Sequence, residues 1–345
     1  MSELMQLMSG NHSQFDGKGI LITGGTRSFG RAFIRTLLRS CEPARLVVFS
    51  RDEFKQYEMA QQLNGPNMRY FIGDVRDGSR LEMAMRGIDY VVHAAALKHV
   101  PIAEYNPFEC ISTNVFGAEN VVRAALRTGV KKVIALSTDK AASPVNLYGA
   151  SKVCSDKIFI AANNLAGADG PRFSVVRYGN VVGSRGSVVP YFRKLIAGGA
   201  DHLPITDERA TRFWITLDEG VTFVMSCFAM MCGGELFVPK IPSMRVVELA
   251  HTLAPHLPIK GVGLRPGEKI HELMITSDDA RFTVDLGDRY AIAPHEHVFS
   301  KYLSEGEAVP ETFSYASNTN PLWLDREGMM RLLGQVAAET ASEWH

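Results

Sequence analysis

Short runs rich in β-branched residues alternate with longer helical patterns through the first half of this chain, and the first run ends in a glycine-rich turn. The runs are GILIT, ARLVVF, MRYFI, YVVHA, KKVIALS and FSVVRY. Such alternation predicts parallel βαβ units. Each run is apolar almost throughout, which requires helices on both faces of the sheet. The expected fold class is therefore α/β, a Rossmann-like doubly wound parallel sheet with a smaller C-terminal substrate-binding domain. Beyond about Val181 the order loosens into GSRGSVVP, LPITDERATRFW and GVGLRPGEK. We expect residues 1–16 to form a flexible extension, 17–180 the dinucleotide-binding domain, and 181–345 mainly the capping domain. GELFVP and similar segments are expected to return to the main sheet.

Composition excludes several function classes. The 37 basic and 37 acidic residues balance, so no global field recruits nucleic acid or an anionic membrane. The five cysteines show no metal-ligand spacing, and no metal site is expected. They read as reduced thiols of a cytoplasmic protein. VTFVMSCFAMMC is too short for a bilayer, which needs about 20 apolar residues, and reads as a buried helix. The first residues lack the pattern of a secretory signal.

After the first run comes TGGTRSFGRAF, where Gly24, Gly25 and Gly30 lead to a helix beginning near Phe29. Glycines at a strand-to-helix turn let the backbone approach a pyrophosphate, whose charge the helix N-terminus favours. Arg27 stands where the TGxxGxxG turn of the short-chain dehydrogenase superfamily has its middle glycine. Its side chain either projects outward to pair with a phosphate or weakens binding; guanidinium geometry favours the first. After the second run, SRDEFKQ offers Ser50, Arg51, Asp52 and Lys55, which suit the 2′-phosphate of NADP better than the bare ribose of NAD. Asp74 and the segment Ala94 to Ala96 are placed to flank adenine and ribose.

The densest chemistry lies in STDKAASPVNLYGASK. Tyr148 and Lys152 share a helix face, and the cationic lysine is expected to lower the phenol pKa so that it takes a proton as hydride leaves the substrate. With Thr138 they suffice for a dehydrogenase or epimerase. Asp139 and Lys140 add an acid beside a base at the carboxyl end of a strand, which points to proton transfers beyond hydride transfer. Downstream, Asn180, Arg185, Thr206, Arg212, Arg265 and Glu268 are candidates for contacting a nucleotide-bearing substrate: the arginines can hold a diphosphate, while Glu268 can accept from ribose hydroxyls.

These motifs, with HAAALKHVP, PITDERATRFWITLDEG, FVPKIPSM and RPGEKIHE, resemble the inverting UDP-N-acetylglucosamine 4,6-dehydratases of the pseudaminic acid pathway, members of the extended short-chain dehydrogenase superfamily. The similarity runs from about Lys18 to at least Ile275. It implies oxidation of sugar carbon 4 with Tyr148 as base, supported by Lys152 and Thr138. Lys140 then removes the carbon 5 proton, Asp139 protonates the departing 6-hydroxyl, and hydride returns to carbon 6. Retaining dehydratases carry glutamate where Lys140 stands, so the lysine marks the inverting branch. The NADP-binding set is filled out by Thr26, Ser28, Phe29, Val75, Lys98 and Asn114, and the substrate set by Lys98 and Val189. The family forms homo-oligomers, here expected as a hexamer or dimer. The competing readings are a nucleotide-sugar 4-epimerase or reductase on the same fold, and a catalytically silent NADP sensor.

Overall fold

A computed structural model describes residues 12–184 and 186–342. Six parallel strands match the six apolar runs: β1 Gly19–Thr23, β2 Arg45–Ser50, β3 Met68–Ile72, β4 Tyr90–His93, β5 Lys132–Thr138 and β6 Arg172–Tyr178. Between them lie α1 Ser28–Ser40, α2 Glu53–Gln62, α3 Gly78–Met85, α4 Gly117–Thr128 and α5 Leu147–Ala166. Helical turns over 100–105 and 107–116 precede α4.

All five positions of β1 are buried. Helices explain this: α3, α4 and α5 pack side by side, and, beyond α6 Val188–Ala197 in the chain, α7 Leu217–Met230 packs on α1. The VTFVMSCFAMMC run lies largely in α7, whose buried residues include Val221, Phe223, Val224 and Phe228. Thr216 and Glu219 form a capping box that fixes the start of that helix.

The remaining strands are β7 Asn180–Val181, β8 Leu203–Ile205, β9 Thr211–Ile215, β10 Leu236–Pro239, β11 Ser243–Arg245, β12 Ile259–Gly261, β13 Leu273–Ile275, β14 Thr283–Asp285, β15 Arg289–Ile292, β16 Glu307–Ala308 and β17 Tyr315–Ala316. The main sheet runs β16-β14-β15-β10-β6-β5-β4-β1-β2-β3. β10, the core of GELFVP, joins β6 in parallel, whereas β14, β15 and β16 are antiparallel additions. The chain after Val181 is thus divided between the main sheet and a cap. The cap holds β11-β9-β7, β8 with β12, and β13 with β17. Its interior is built around Val182, Val189, Trp214, Met244 and Leu249, with a second cluster around Phe192, Leu203 and Ile205.

The loosely held extension expected for residues 1–16 is corrected at its end. Phe15 is fully buried, its ring edge-on to Tyr90 (5.7 Å) and Phe228 (5.6 Å). Residues 1–11 lie outside the described residues.

Candidate active site

Every candidate side chain of the catalytic loop hangs from the carboxyl end of β5 or the first turns of α5. Thr138 ends β5, and its side chain caps the one-turn helix Asp139–Ala141. Ser143 then takes the left-handed conformation (φ 48°), turning the chain back toward α5. Asn146 caps α5 by accepting from the Gly149 amide (2.8 Å). At Gly149 a Cβ would lie 2.2 Å from the Lys140 carbonyl oxygen. Only glycine lets the helix carrying Tyr148 touch the turn carrying Lys140.

The four groups meet in a largely buried cluster. Thr138 Oγ1 donates to Asp139 Oδ1 (2.9 Å), and Lys140 Nζ donates to the same oxygen (3.1 Å). Asp139 is 1% exposed, and its Oδ2 has no partner among the described residues. Burial pushes its carboxyl upward, against the pull of Lys140, so it is the readily protonated acid of the cluster. Tyr148 is buried too, and burial raises its phenol to about 12 against the opposing pull of Thr138 and Lys140. Lys152, expected to hold that phenol down, instead donates to Ser155 (3.3 Å). Burial lowers the Lys152 ammonium, and Asp156, one turn on, opposes that. Asp156 itself accepts from Ser137 (2.7 Å) and Arg177 (3.5 Å).

One central residue escaped the sequence analysis. Glu272, in the HEL that follows RPGEK, is 2% exposed and accepts from Lys140 Nζ at 3.1 Å. Arg212 Nε stands 3.7 Å from the same oxygen. Burial opposes its ionisation, but Lys140 and Arg212 outweigh burial and hold the carboxyl low. Lys140 is likewise held cationic, since Asp139 and Glu272 outweigh its own desolvation. The signal available in sequence was only a glutamate at the start of a short apolar run.

The candidates of the cap separate into those free to meet a ligand and those already engaged. Glu268 gathers Thr206 (3.1 Å), Arg212 (3.3 Å) and Arg265 (3.2 Å), so three predicted nucleotide contacts do converge. Arg212, expected to hold substrate, also fastens the RPGEK segment. It donates to the carbonyls of Thr211, Lys269 and Ile270 and is 8% exposed. Val189, another expected substrate contact, is fully buried in the cap core. Arg265 is 70% exposed at the side chain, and Asn180 Oδ1 is buried without a partner among the described residues. Arg185 lies outside the described residues. The RPGEK segment is fastened to the catalytic loop by Asn146 to Gly267 O (2.8 Å) and Lys269 to Ala142 O (2.6 Å).

At the glycine turn the residues fit a dinucleotide. Gly24 and Gly25 donate to Phe49 O, and Gly24 has φ 68°. A Cβ on Gly30 would meet Gly25 Cα at 2.5 Å, so the turn packs against the first turn of α1, whose N-terminus has no side-chain cap. Uncapped amides of this kind suit a pyrophosphate. Thr26 is buried; Ser28 and Phe29 open α1, with the Phe29 ring stacked on Tyr178 (6.4 Å). Arg27 is exposed, and its guanidinium donates to Ala96 O (2.8 Å). Its charge lies close enough to Arg51 and Lys98 for mutual repulsion. Ala94 and Ala95 are held by amide bonds to Thr23 Oγ1 (3.1 and 3.2 Å).

Several expected cofactor contacts are also engaged within the protein. Asn114 is 1% exposed and fully engaged, accepting from Leu97 N (2.8 Å) and donating to Leu97 O (2.9 Å) and Ser151 (2.9 Å). It shapes the loop after β4. Val75 is buried beneath Gly117, and Ser50 accepts from Gln56 (3.0 Å). Asp52 caps α2 and pairs with Lys55, so its carboxylate is neutralised locally. Arg51 keeps an exposed side chain, 3.4 Å from Asp74. Asp74 is held low: burial resists, but bonds from Arg76 prevail. Among the described residues no helix is long and apolar enough to cross a membrane, and no acid, histidine or cysteine cluster could hold a metal. All five cysteines are free.

Fold and site define a dinucleotide-binding α/β enzyme of the extended short-chain dehydrogenase kind, with a threonine, tyrosine and lysine set augmented by an acid and a base. The chain belongs to the family described as polysaccharide biosynthesis protein, whose profile matches residues 20–294. It is 56% identical over 330 residues to UDP-N-acetylglucosamine 4,6-dehydratase (inverting) of Campylobacter jejuni, covering 93% of this chain and 99% of that relative. It is also 40% identical over 328 residues to UDP-glucose 4-epimerase of Rickettsia canadensis, covering 92% and 96%. Among solved structures, Pen from Bacillus thuringiensis superposes with a TM-score of 0.84 at 34% identity, covering 93% of this chain and 98% of that one.

Proposed function

We propose that this chain catalyses the NADP-dependent 4,6-dehydration of UDP-N-acetylglucosamine with inversion at carbon 5. The product is UDP-2-acetamido-2,6-dideoxy-beta-L-arabino-hexos-4-ulose, and the step opens pseudaminic acid biosynthesis. The observation that carries the reading is the contact between Asp139, pushed toward its neutral acid form, and Lys140, beside a buried Tyr148. The dehydratase relative supplies the substrate.

Gly24, Gly30, the α1 amides and Arg27 would hold the pyrophosphate. Arg51 would meet the 2′-phosphate, since Asp52 is spent on Lys55 and the helix cap. Bound there, a nicotinamide would supply reversible hydride exchange with the sugar. Tyr148 accepts the proton of the 4-hydroxyl in its phenolate form, which burial disfavours and Thr138 and Lys140 favour. A ketone at carbon 4 acidifies carbon 5, from which Lys140 takes the proton. Asp139 gives its own proton to the 6-hydroxyl, which leaves as water. With hydride returned to carbon 6, a proton added to carbon 5 on the face opposite the one it left completes the inverted product. Arg265, exposed at the rim beside Glu268, would hold the nucleotide diphosphate, and Glu268 would accept from the ribose hydroxyls. The reading includes a cytoplasmic homo-oligomer, hexamer or dimer, for which exposed Tyr105 and Phe108 offer apolar surface.

Incubation with UDP-N-acetylglucosamine and NADP, followed by mass spectrometry, tests this. The expected product is lighter by one water. An isobaric product would replace the reading with the 4-epimerase that the Rickettsia relative favours. Tight NADP binding without turnover would leave a sensor.

A further inference from the structure

A general base must be neutral before it can act, yet Lys140 sits between two carboxylates. Its Nζ is 3.1 Å from Asp139 Oδ1 and 3.1 Å from Glu272 Oε1, 132 residues away in the chain. The two acids are not equivalent. Asp139 belongs to the same turn as Lys140, whereas Glu272 is brought in by the cap and is rigidly mounted there. Its amide donates to Ser317 Oγ (2.9 Å), and its carbonyl accepts from the Ser317 amide (2.8 Å). Ser317 in turn bonds Thr211 Oγ1 (2.6 Å). Glu272 Oε2 is buried and has no partner among the described residues, so the carboxylate is committed to Lys140 and Arg212 through its other oxygen.

We infer that Glu272 is a positioning residue for the elimination: it fixes the Lys140 ammonium from the cap and sets the pH at which Lys140 becomes a free base. This rests on the dehydratase reading given above. The groups facing Lys140 are Asp139 from its own turn, Tyr148 from α5, and Glu272, Lys269 and Arg212 from the cap. Glu268 lies behind Arg212. Of these, Arg212 and Lys269 disfavour a charged lysine, and Asp139 is pushed by burial toward its neutral form. Asp139 and Glu272 both favour the cationic lysine, and Glu272 is the one of the two whose own carboxyl is held low, by Lys140 and Arg212. An acid in direct contact with an amine moves its ionisation by about 1–3 pH units.

The experiment uses the full-length protein with ¹³Cε-labelled lysine, the Lys140 resonance being the one absent in Lys140→Arg. Glu272→Gln should lower the Lys140 titration midpoint by about one pH unit or more. The rising limb of carbon 5 deuterium exchange against pH should move acidward by the same amount, and Glu272→Asp should restore both toward the parent. A Lys140 midpoint unmoved in Glu272→Gln would overturn the inference, whatever happens to the rate. If Glu272→Gln does not fold, the parent decides: its Lys140 midpoint should lie above the ordinary lysine value of about 10.4, and a midpoint at or below it overturns the inference. Absence of a dehydrated product from the parent would defeat the dehydratase reading instead, while the titration would still report on Glu272.

Discussion

Asp139 and Glu272 are both carboxylates within 3.1 Å of one ammonium, yet burial drives Asp139 up while Lys140 and Arg212 hold Glu272 down. On the dehydratase reading proposed above, that asymmetry divides the labour: Asp139 is the proton donor and Glu272 the fixed charge beside Lys140. Asp139→Asn keeps the shape and removes the transferable proton. Dehydration should fall by about 10²–10⁴-fold with NADP affinity unchanged, as read by product formation and by a binding titration. A loss under about threefold would remove Asp139 from the proton transfers. A second residue-scale outcome concerns His93, which is fully packed at the end of β4 against Thr23 (2.9 Å) and Phe159. Burial, then the charge of Lys152, lowers its pKa from 6.5 to about 3. The unfolded chain therefore binds a proton that the folded chain refuses between those values. Stability contributed by the neutral ring is complete above about pH 6.5 and is lost as pH falls toward 3, by on the order of 1 kcal/mol per pH unit. Denaturant unfolding at pH 6.5 and 4.5 should show a smaller loss in His93→Phe than in the parent. The catalytic loop was legible because its residues are adjacent in sequence; Glu272 was not, because only tertiary packing carries it to Lys140. Arg212, Asn114 and Ser50 show the converse: their types suit ligands, but backbone and neighbouring side chains claim their hydrogen bonds.

At the scale of elements, the strand-by-strand pattern was readable because buried parallel strands leave little room for polar residues. FSVVRY predicts what Arg172–Tyr178 forms, and GILIT coincides with β1. How closely two elements approach is less legible, since it turns on single atoms. Gly149 is the clearest instance: it looks like a small residue inside YGASK, but it sets the contact of α5 with the turn Asp139–Ala141. An alanine there would place Cβ 2.2 Å from backbone oxygen, and backbone cannot rotate out of the way as a side chain can. Gly149→Ala should therefore part Tyr148 from Lys140 by enough to cost about 10²-fold in turnover. NADP should still bind, because the glycine turn at Gly24 to Gly30 belongs to other elements. Turnover within threefold of the parent would show that the helix and the turn need not touch.

Across the whole molecule, the chain weaves between its two layers. The segment after Val181 builds the cap, returns through β10, leaves again to supply Glu268 and Glu272, and comes back as β14, β15 and β16. A boundary drawn once in sequence therefore misdescribes the fold, although apolar strands such as Leu236–Pro239 announce the return. The weave also makes remote packing matter to the site, since the sheet that carries Thr138 is braced by α7 on one face. Phe15 is wedged there, between Tyr90 at the start of β4 and Phe228 of α7. Nothing in MSELMQLMSGNHSQFD marks it as core, because one aromatic in a polar segment has no periodicity to place it. Removing its ring leaves a cavity that neither a sheet strand nor a capped helix can collapse to fill. Phe15→Ala should cost about 3–5 kcal/mol of stability, read from denaturant midpoints, while turnover in the folded fraction stays near that of the parent. A cost below about 1 kcal/mol would mean that the extension adds nothing to the brace.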